Sequence, residues 1–271
     1  MDADTVYENL RAISADFAAE RRERQQRREL VAADFARLRE AGFLLTGVPV
    51  DHGGIWAGIG TSARPICEML RTLAHGDSSV ALVCAMHAVL NFWTATAEAP
   101  PPFDKAWEEQ RRSIFRTVHE GAWWGTIASE PGTAGDIART KATARRSSSD
   151  GAYLLTGQKN FGSGSGVTSY MITVAVPEGE TDPDMFVLDM RGVPWDGSAG
   201  VTLTAAWDGR DPKPPDGVQQ VPGHPHRVVG AVPAHPGEHR RAYSMPLHGS
   251  HRRSGGGGAR DGAPAARPAS Q

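Results

Sequence analysis

Cysteine is nearly absent from this chain of 271 residues. Cys67 and Cys84 both lie in apolar helical patterns, which argues against a disulfide scaffold and a cysteine-based metal site and predicts two buried structural thiols. Net charge is scarce too: 29 basic and 31 acidic side chains leave −2, with an isoelectric point of about 6.6. That balance argues against nucleic acid or an anionic membrane as the main partner. Long hydrophobic runs are missing. The longest, Val80 to Trp93, is too short to span a bilayer and contains His87 and Asn91. The N-terminus is acidic and then Arg-rich, without the apolar core of a signal peptide, so a cytoplasmic protein is expected.

Residues 1–120 read as a helical domain. Thr5-Val6-Tyr7-Glu8 has capping-box spacing, and Val6, Leu10, Ile13 and Phe17 then recur as one helix face. The charge run Arg21 to Glu29 reads as a solvated face. Leu30, Asp34, Phe35 and Leu38 continue the helical period, with Gly42 suited to a left-handed cap. Asp51-His52-Gly53-Gly54 marks a turn. Ile66, Met69, Leu70 and Leu73 give another helix face. Asp77-Ser78-Ser79 caps a helix predicted over 79–93, apolar nearly all round and therefore buried on most sides, with His87 as a satisfied core histidine. A last helix is predicted from Asp104 to His119.

From Ala122 the pattern changes to short strands separated by Gly, Ser, Asp and Pro: Trp123–Ala128, Ala138–Arg146, Tyr153–Thr156, Tyr170–Val176 and Met185–Asp189. Ser148-Ser149-Asp150-Gly151 reads as a hairpin turn. The expectation is a small antiparallel β-barrel-like domain over 121–209. Helices and strands are segregated along the chain, so the fold class is α+β.

Residues 210–271 lack Ile, Phe, Trp and Cys, and Leu247 is their single leucine. Such a segment cannot bury enough apolar area to offset the entropy of ordering, which predicts a disordered tail. A second reading of the tail is out-of-frame translation of a GC-rich gene, because Arg, Pro, Gly, Ala and His take over immediately after Trp207-Asp208-Gly209. The histidines gathered there (His224, His226, His235, His239, His248, His251) lie in a Pro- and Gly-rich stretch without a Cys/His array and predict no evolved metal site.

Residues 30–209 resemble the acyl-CoA dehydrogenase family. The resemblance is carried by Phe35 to Gly54, ending in Asp51-His52-Gly53-Gly54, by Asp77-Ser78-Ser79-Val80-Ala81-Leu82, by Ser129-Glu130-Pro131-Gly132 and by the stretch Leu154 to Gly166. It implies FAD as cofactor and α,β-dehydrogenation of an acyl thioester. By the same resemblance Ile127, Ala128 and Ser129 meet the pyrimidine edge of the flavin. Phe161 stands where the family often has a Trp against the ring, followed by Gly162. Ser163 stands where a hydroxyl approaches N5. Gly135 stands where a substrate-contacting Ser is usual, and Thr133-Ala134-Gly135-Asp136 departs from the family's Ala-Gly-Ser-Asp. Glu130 and Asp136 are expected to be structural, one in a tight turn before Pro131 and the other accepting loop amides.

The family reaction needs a carboxylate base near the substrate α carbon, held in a C-terminal helical bundle that nothing in 210–271 resembles. No catalytic residue is therefore assigned, and a truncated, inactive chain is one expectation. The resemblance further implies an acyl-CoA-type substrate, an electron-transfer partner and a homo-oligomer. Apolar faces left bare without the bundle predict association or poor solubility. Two other readings stand beside the dehydrogenase: a flavin monooxygenase of the same fold, and a non-catalytic remnant that binds no flavin.

Overall fold

The computed structural model describes residues 1–27, 29–95, 98–147, 152–202 and 226–228. The hairpin turn predicted at 148–151 lies outside the described residues. So does most of the tail, together with the expectations of disorder, frame change and histidine chemistry placed on it.

The first helix, α1 (Ala3–Ala19), is capped by Asp2 and not by Thr5: the Asp2 carboxylate accepts the Thr5 N–H at 2.8 Å, so the helix begins two residues before the capping box read from the sequence. Its buried face is Val6, Leu10, Ile13 and Phe17, as the spacing predicts. It packs along α4 (Ile59–Gly76), where Gly76 lets the backbones close: a Cβ there would lie 2.6 Å from Ser14 O.

The charge run is not wholly solvated. Between α2 (Arg21–Arg24) and α3 (Ala32–Glu40), the Arg24 side chain is only 3% exposed. Its guanidinium grips Asp34 with two nitrogens, at 3.2 and 2.6 Å, meets Asp77 Oδ2 at 2.8 Å and lies over the Phe17 ring. A planar five-donor cation can bridge two carboxylates in this way, which offsets its desolvation. Asp77 uses its other oxygen to cap α5 (Ser78–Met86), accepting from Ser79 and Val80 N–H. Gly42 takes the left-handed conformation predicted for it, φ +88°.

The helix expected over 79–93 is three pieces: α5, a 3-10 turn at His87–Leu90 and α6 (Asn91–Thr94). The tightening begins at His87, whose buried ring is held from both sides. Nε2 donates to Leu44 O at 3.0 Å and Nδ1 accepts Trp124 N–H at 3.3 Å. His87 is the satisfied core histidine the sequence implied. Burial pushes its pKa down to about 4, so the ring stays neutral. Of the two thiols, Cys84 is buried and shifted up by that burial, whereas Cys67 is exposed, contrary to expectation. It lies on the outer side of α4, away from buried Met69 and Leu73. Helix α7 (Asp104–His119) matches its expected span. Among the described residues no helix is long and apolar enough to cross a membrane.

The sheet is mixed and, among the described residues, open. Strand β4 (Tyr170–Pro177) is its centre. Along one edge it pairs in parallel with β1 (Trp124–Thr126) and then with β2 (Thr143–Arg146), and along the other it pairs antiparallel with β5 (Asp184–Asp189). Strand β2 pairs antiparallel with β3 (Tyr153–Thr156), and β3 with β6 (His226–Val228). The expectation of an antiparallel, barrel-like domain is thus corrected. A parallel partner needs a long crossover, and residues 127–169, which contain the β2–β3 hairpin, supply it between β1 and β4. Helices and sheet share one core: Trp123 stacks on Phe43 at 5.7 Å, and Trp124 stacks on Tyr170 at 4.8 Å.

His87 makes the fold acid-sensitive. Its folded pKa lies below the unfolded value of about 6.5, so the unfolded chain takes up a proton that the native chain refuses, and stability falls from pH 6.5 towards 4. His87→Leu is expected to lower stability at pH 7 by about 1–3 kcal/mol, because Leu44 O and Trp124 N–H lose their partner, and to flatten the slope between pH 7 and 5. Urea unfolding at both pH values, wild type beside variant, measures the two effects.

Candidate functional site

Two loops leave the sheet close together. One runs from the end of β1 through Ile127 to Asp136, the other from the end of β3 through Gly157 to Ser169. They diverge where β4 has no strand beside it. The β1 ladder stops at Ile172 and the β2 ladder starts at Val176, which leaves the Val174 carbonyl without a strand donor. Side chains fill the gap. Lys159 Nζ donates to Val174 O at 2.6 Å, and Thr140 Oγ1 lies 3.3 Å from the same oxygen.

The Lys159 ammonium is paired at 2.5 Å with Glu130 Oε1, and the Glu130 side chain is 3% exposed. Thr140 Oγ1, Ala142 N–H and Lys141 N–H also donate to this carboxylate. Burial alone would raise the Glu130 carboxyl; the bonds from Lys159, Thr140 and Lys141 outweigh it and hold the group below the usual carboxylate range. Burial also draws the Lys159 ammonium down, while Glu130 draws it back up. With this many donors on the carboxylate the pair stays ionised. The structural role expected for Glu130 is present, carried by a buried ion pair. Asp136 likewise fixes its loop, accepting Ala138 N–H at 3.0 Å.

The plug brings the predicted residues of both loops side by side. Asn160 N–H donates to Ser129 O at 2.8 Å. Ile127 packs under Gly162, where an added Cβ would lie 3.0 Å from Ile127 Cδ1 and 2.7 Å from Ser165 Oγ, so a methyl there would force these side-chain ends to shift. The Ile127 main chain is fully used inside the sheet: its N–H reaches Ile172 O and its C=O accepts Thr173 Oγ1 at 2.7 Å. Ala128 and Ser129 differ. Among the described residues their N–H groups have no acceptor, and the Ser129 and Ser163 hydroxyls make no hydrogen bond. Phe161 is 76% exposed and takes φ +56°, a left-handed backbone uncommon for a bulky residue. Gly135 is not drawn in with them. It sits exposed, φ +82°, with nothing within 4 Å of where its Cβ would be.

Behind Ile127 lies an apolar cavity of about 300 Å³ between the sheet and residues 193–202, lined by Ile127, Leu155, Met171, Leu188, Trp195 and Val201 among others. Nothing in the sequence marks Trp195 or Val201 for this role, since they fall in a Gly- and Ser-containing stretch without strand or helix period.

No protein-family model and no curated protein matches the chain. Solved structures do. FMN-bound TdsC from Paenibacillus sp. A11-2, a dibenzothiophene monooxygenase, superposes with a TM-score of 0.56 at 21% identity over 72% of this chain. Methanesulfinate monooxygenase MsuC from Pseudomonas fluorescens gives 0.54 at 23% over 74%. Butyryl-CoA dehydrogenase from Megasphaera elsdenii gives 0.53 at 18% over 70%. The helices and sheet have the acyl-CoA dehydrogenase fold. At these identities the likeness is one of fold. The chain spans about half the length of the structures it matches, 46%, 46% and 49% in the same order.

Glu130→Gln would leave the Lys159 ammonium buried without its counter-ion, at a cost of about 3–5 kcal/mol. Because the native carboxyl is held low, its contribution is complete above the unfolded value near 4.3 and is lost as pH falls through the folded value. Denaturant midpoints at pH 7 and pH 4 are expected to show a large gap between wild type and variant at the first and a smaller one at the second.

Proposed function

We propose that the two loops hold the isoalloxazine ring of a flavin, and that the chain is the flavin-cradling part of a flavin-dependent oxidoreductase. The carrying observation is the pair of N–H groups at Ala128 and Ser129 that have no acceptor among the described residues, set beside a loop that presents exposed Phe161 and the Ser163 hydroxyl. A flavin is flat, apolar on both faces and edged by hydrogen-bonding groups, so it needs donors at one edge and an aromatic or aliphatic surface on a face. The residues present fit that need. Ala128 and Ser129 would meet the pyrimidine edge, Phe161 would cover a face, and Ser163 would offer its hydroxyl towards N5. Ile127 and Gly162 act through packing: Ile127 is the floor on which the second loop rests, and Gly162 allows the contact. Gly135 is the proposed substrate-side position, at the exposed tip of the first loop.

A bound flavin would supply hydride and electron transfer that side chains cannot. The chain's own groups would bind and orient the ring and shield one face from water. Two reactions suit this reading. One is α,β-dehydrogenation of an acyl thioester with FAD and an electron-transfer partner. The other is monooxygenation, the reaction named for TdsC and MsuC, which share the fold. Stopped-flow reoxidation of the bound, reduced flavin separates them: a one-step return to the oxidised spectrum fits the dehydrogenase, an absorbing transient fits the monooxygenase.

Titration with FMN and FAD, followed by absorbance, is expected to show saturable binding of at least one, and absence of any perturbation supports the remnant reading instead. Gly162→Ala would press a methyl between Ile127 and Ser165 and part the loops. A loss of flavin affinity of about tenfold is expected, equivalent to roughly 1.4 kcal/mol; an unchanged dissociation constant would speak against the loop contact as the determinant.

A further inference from the structure

Asn160 Oδ1 is, among the described residues, the one buried side-chain nitrogen or oxygen with no hydrogen-bond partner. Buried carboxamide oxygens are normally paired, because an unmet acceptor gives up its hydration for nothing, so an exception marks a place where something else brings the donor. The position of Asn160 narrows what that is. Its main-chain N–H is tied to Ser129 O, which fixes it beside the Ala128 and Ser129 N–H groups that lack acceptors. One unmet acceptor and two unmet donors therefore stand on adjoining loops. A cyclic imide carries the complementary set, one N–H between two carbonyls, and the pyrimidine edge of isoalloxazine is such an imide: C2=O, N3–H, C4=O.

We propose that Asn160 reads this imide: its carboxamide oxygen accepts the flavin N3–H while Ala128 and Ser129 donate to the carbonyls on either side. The proposal rests on the flavin reading above. Neighbouring side chains are poor substitutes. Lys159 carries only donors, already engaged by Glu130, Thr140 and Val174. Oδ1 is buried from solvent, so pairing with a ligand takes a turn about χ2 that brings the oxygen out to the loop surface.

The test compares lumiflavin with 3-methyl-lumiflavin, which keeps the tricycle and both carbonyls but lacks the N–H. Binding to the full chain is read by fluorescence quenching. Wild type is expected to bind lumiflavin about tenfold more tightly than its methylated form, one hydrogen bond's worth. In Asn160→Ala the ratio is expected to fall to about twofold or less, through weaker binding of lumiflavin. Thermal unfolding of Asn160→Ala without flavin is expected at or near the wild-type midpoint, since no intramolecular bond is removed; a drop of several degrees assigns Asn160 a structural role and overturns the proposal. Equal binding of the two flavins by wild type, or an unchanged ratio in the variant, also overturns it and leaves the flavin reading standing. Failure of wild type to bind either flavin overturns both.

Discussion

The ammonium of Lys159 takes the place of a main-chain donor in the middle of a β-ladder. Strand β4 carries β1 and β2 one after the other on the same edge, and between them Val174 turns a carbonyl towards a gap. A buried carbonyl needs a donor, and the crossover chain supplies one from a side chain. A buried cation needs a counter-ion, and the Glu130 carboxylate supplies that, steadied by Thr140, Lys141 and Ala142. Segments from four parts of the sheet meet at one charge pair. Buried ion pairs add little net stability over a well-packed apolar substitute; their value here lies in position. The residue before Glu130 is Ser129, and the residue after Lys159 is Asn160, so the contact that closes the ladder also sets the candidate loops against each other.

The helical half performs a related service at the other end of the sheet. His87 is bonded to Leu44 on one side and to the first residue of β1 on the other. Trp124 stacks on Tyr170, and its indole N–H reaches Thr117 on α7 at 3.0 Å. Strand β1 is therefore anchored in register before its loop begins. Arg24 acts similarly within the helices, joining the segment after α1 to α3 and to the start of α5 through Asp34 and Asp77. Each anchor is a polar or charged group taken out of water and fully partnered, which specifies geometry more sharply than apolar contact.

Much of this was legible in the sequence because it depends on local rules. The face Val6, Leu10, Ile13, Phe17, the left-handed Gly42, the Asp77 cap and the span of α7 follow from period and capping chemistry. The strand positions follow from composition and turn residues. What was not legible depends on contacts between distant residues. Arg24 reads as one more solvated arginine until Asp34 and Asp77 are seen beside it. Parallel pairing of β1 with β4 is set by a shared core of Trp124 and Tyr170, not by either strand's own pattern. Glu130 could be read as a turn residue, but its partner Lys159 lies 29 positions on. Within the candidate site, the residue types came from motif resemblance, whereas the division of labour came from backbone bonding. Ile127 is spent inside the sheet, while Ala128 and Ser129 keep free donors. Asn160 carries no sequence signal, because an unmet acceptor exists only in three dimensions.

Strand β4 also works as a ruler. Ile172 ends the pairing with β1 and Val176 begins the pairing with β2, so the points of departure of the first loop and of the hairpin that leads to the second stand four strand rises apart. At about 3.3 Å per rise this is roughly 13 Å, set by the backbone pleat. Evolution can alter the loops' tips freely, but the width of whatever they embrace is gauged by the number of residues between two ladders on one strand. Lengthening β4 by a residue pair between the two ladders would widen the jaws and draw Lys159 away from Glu130.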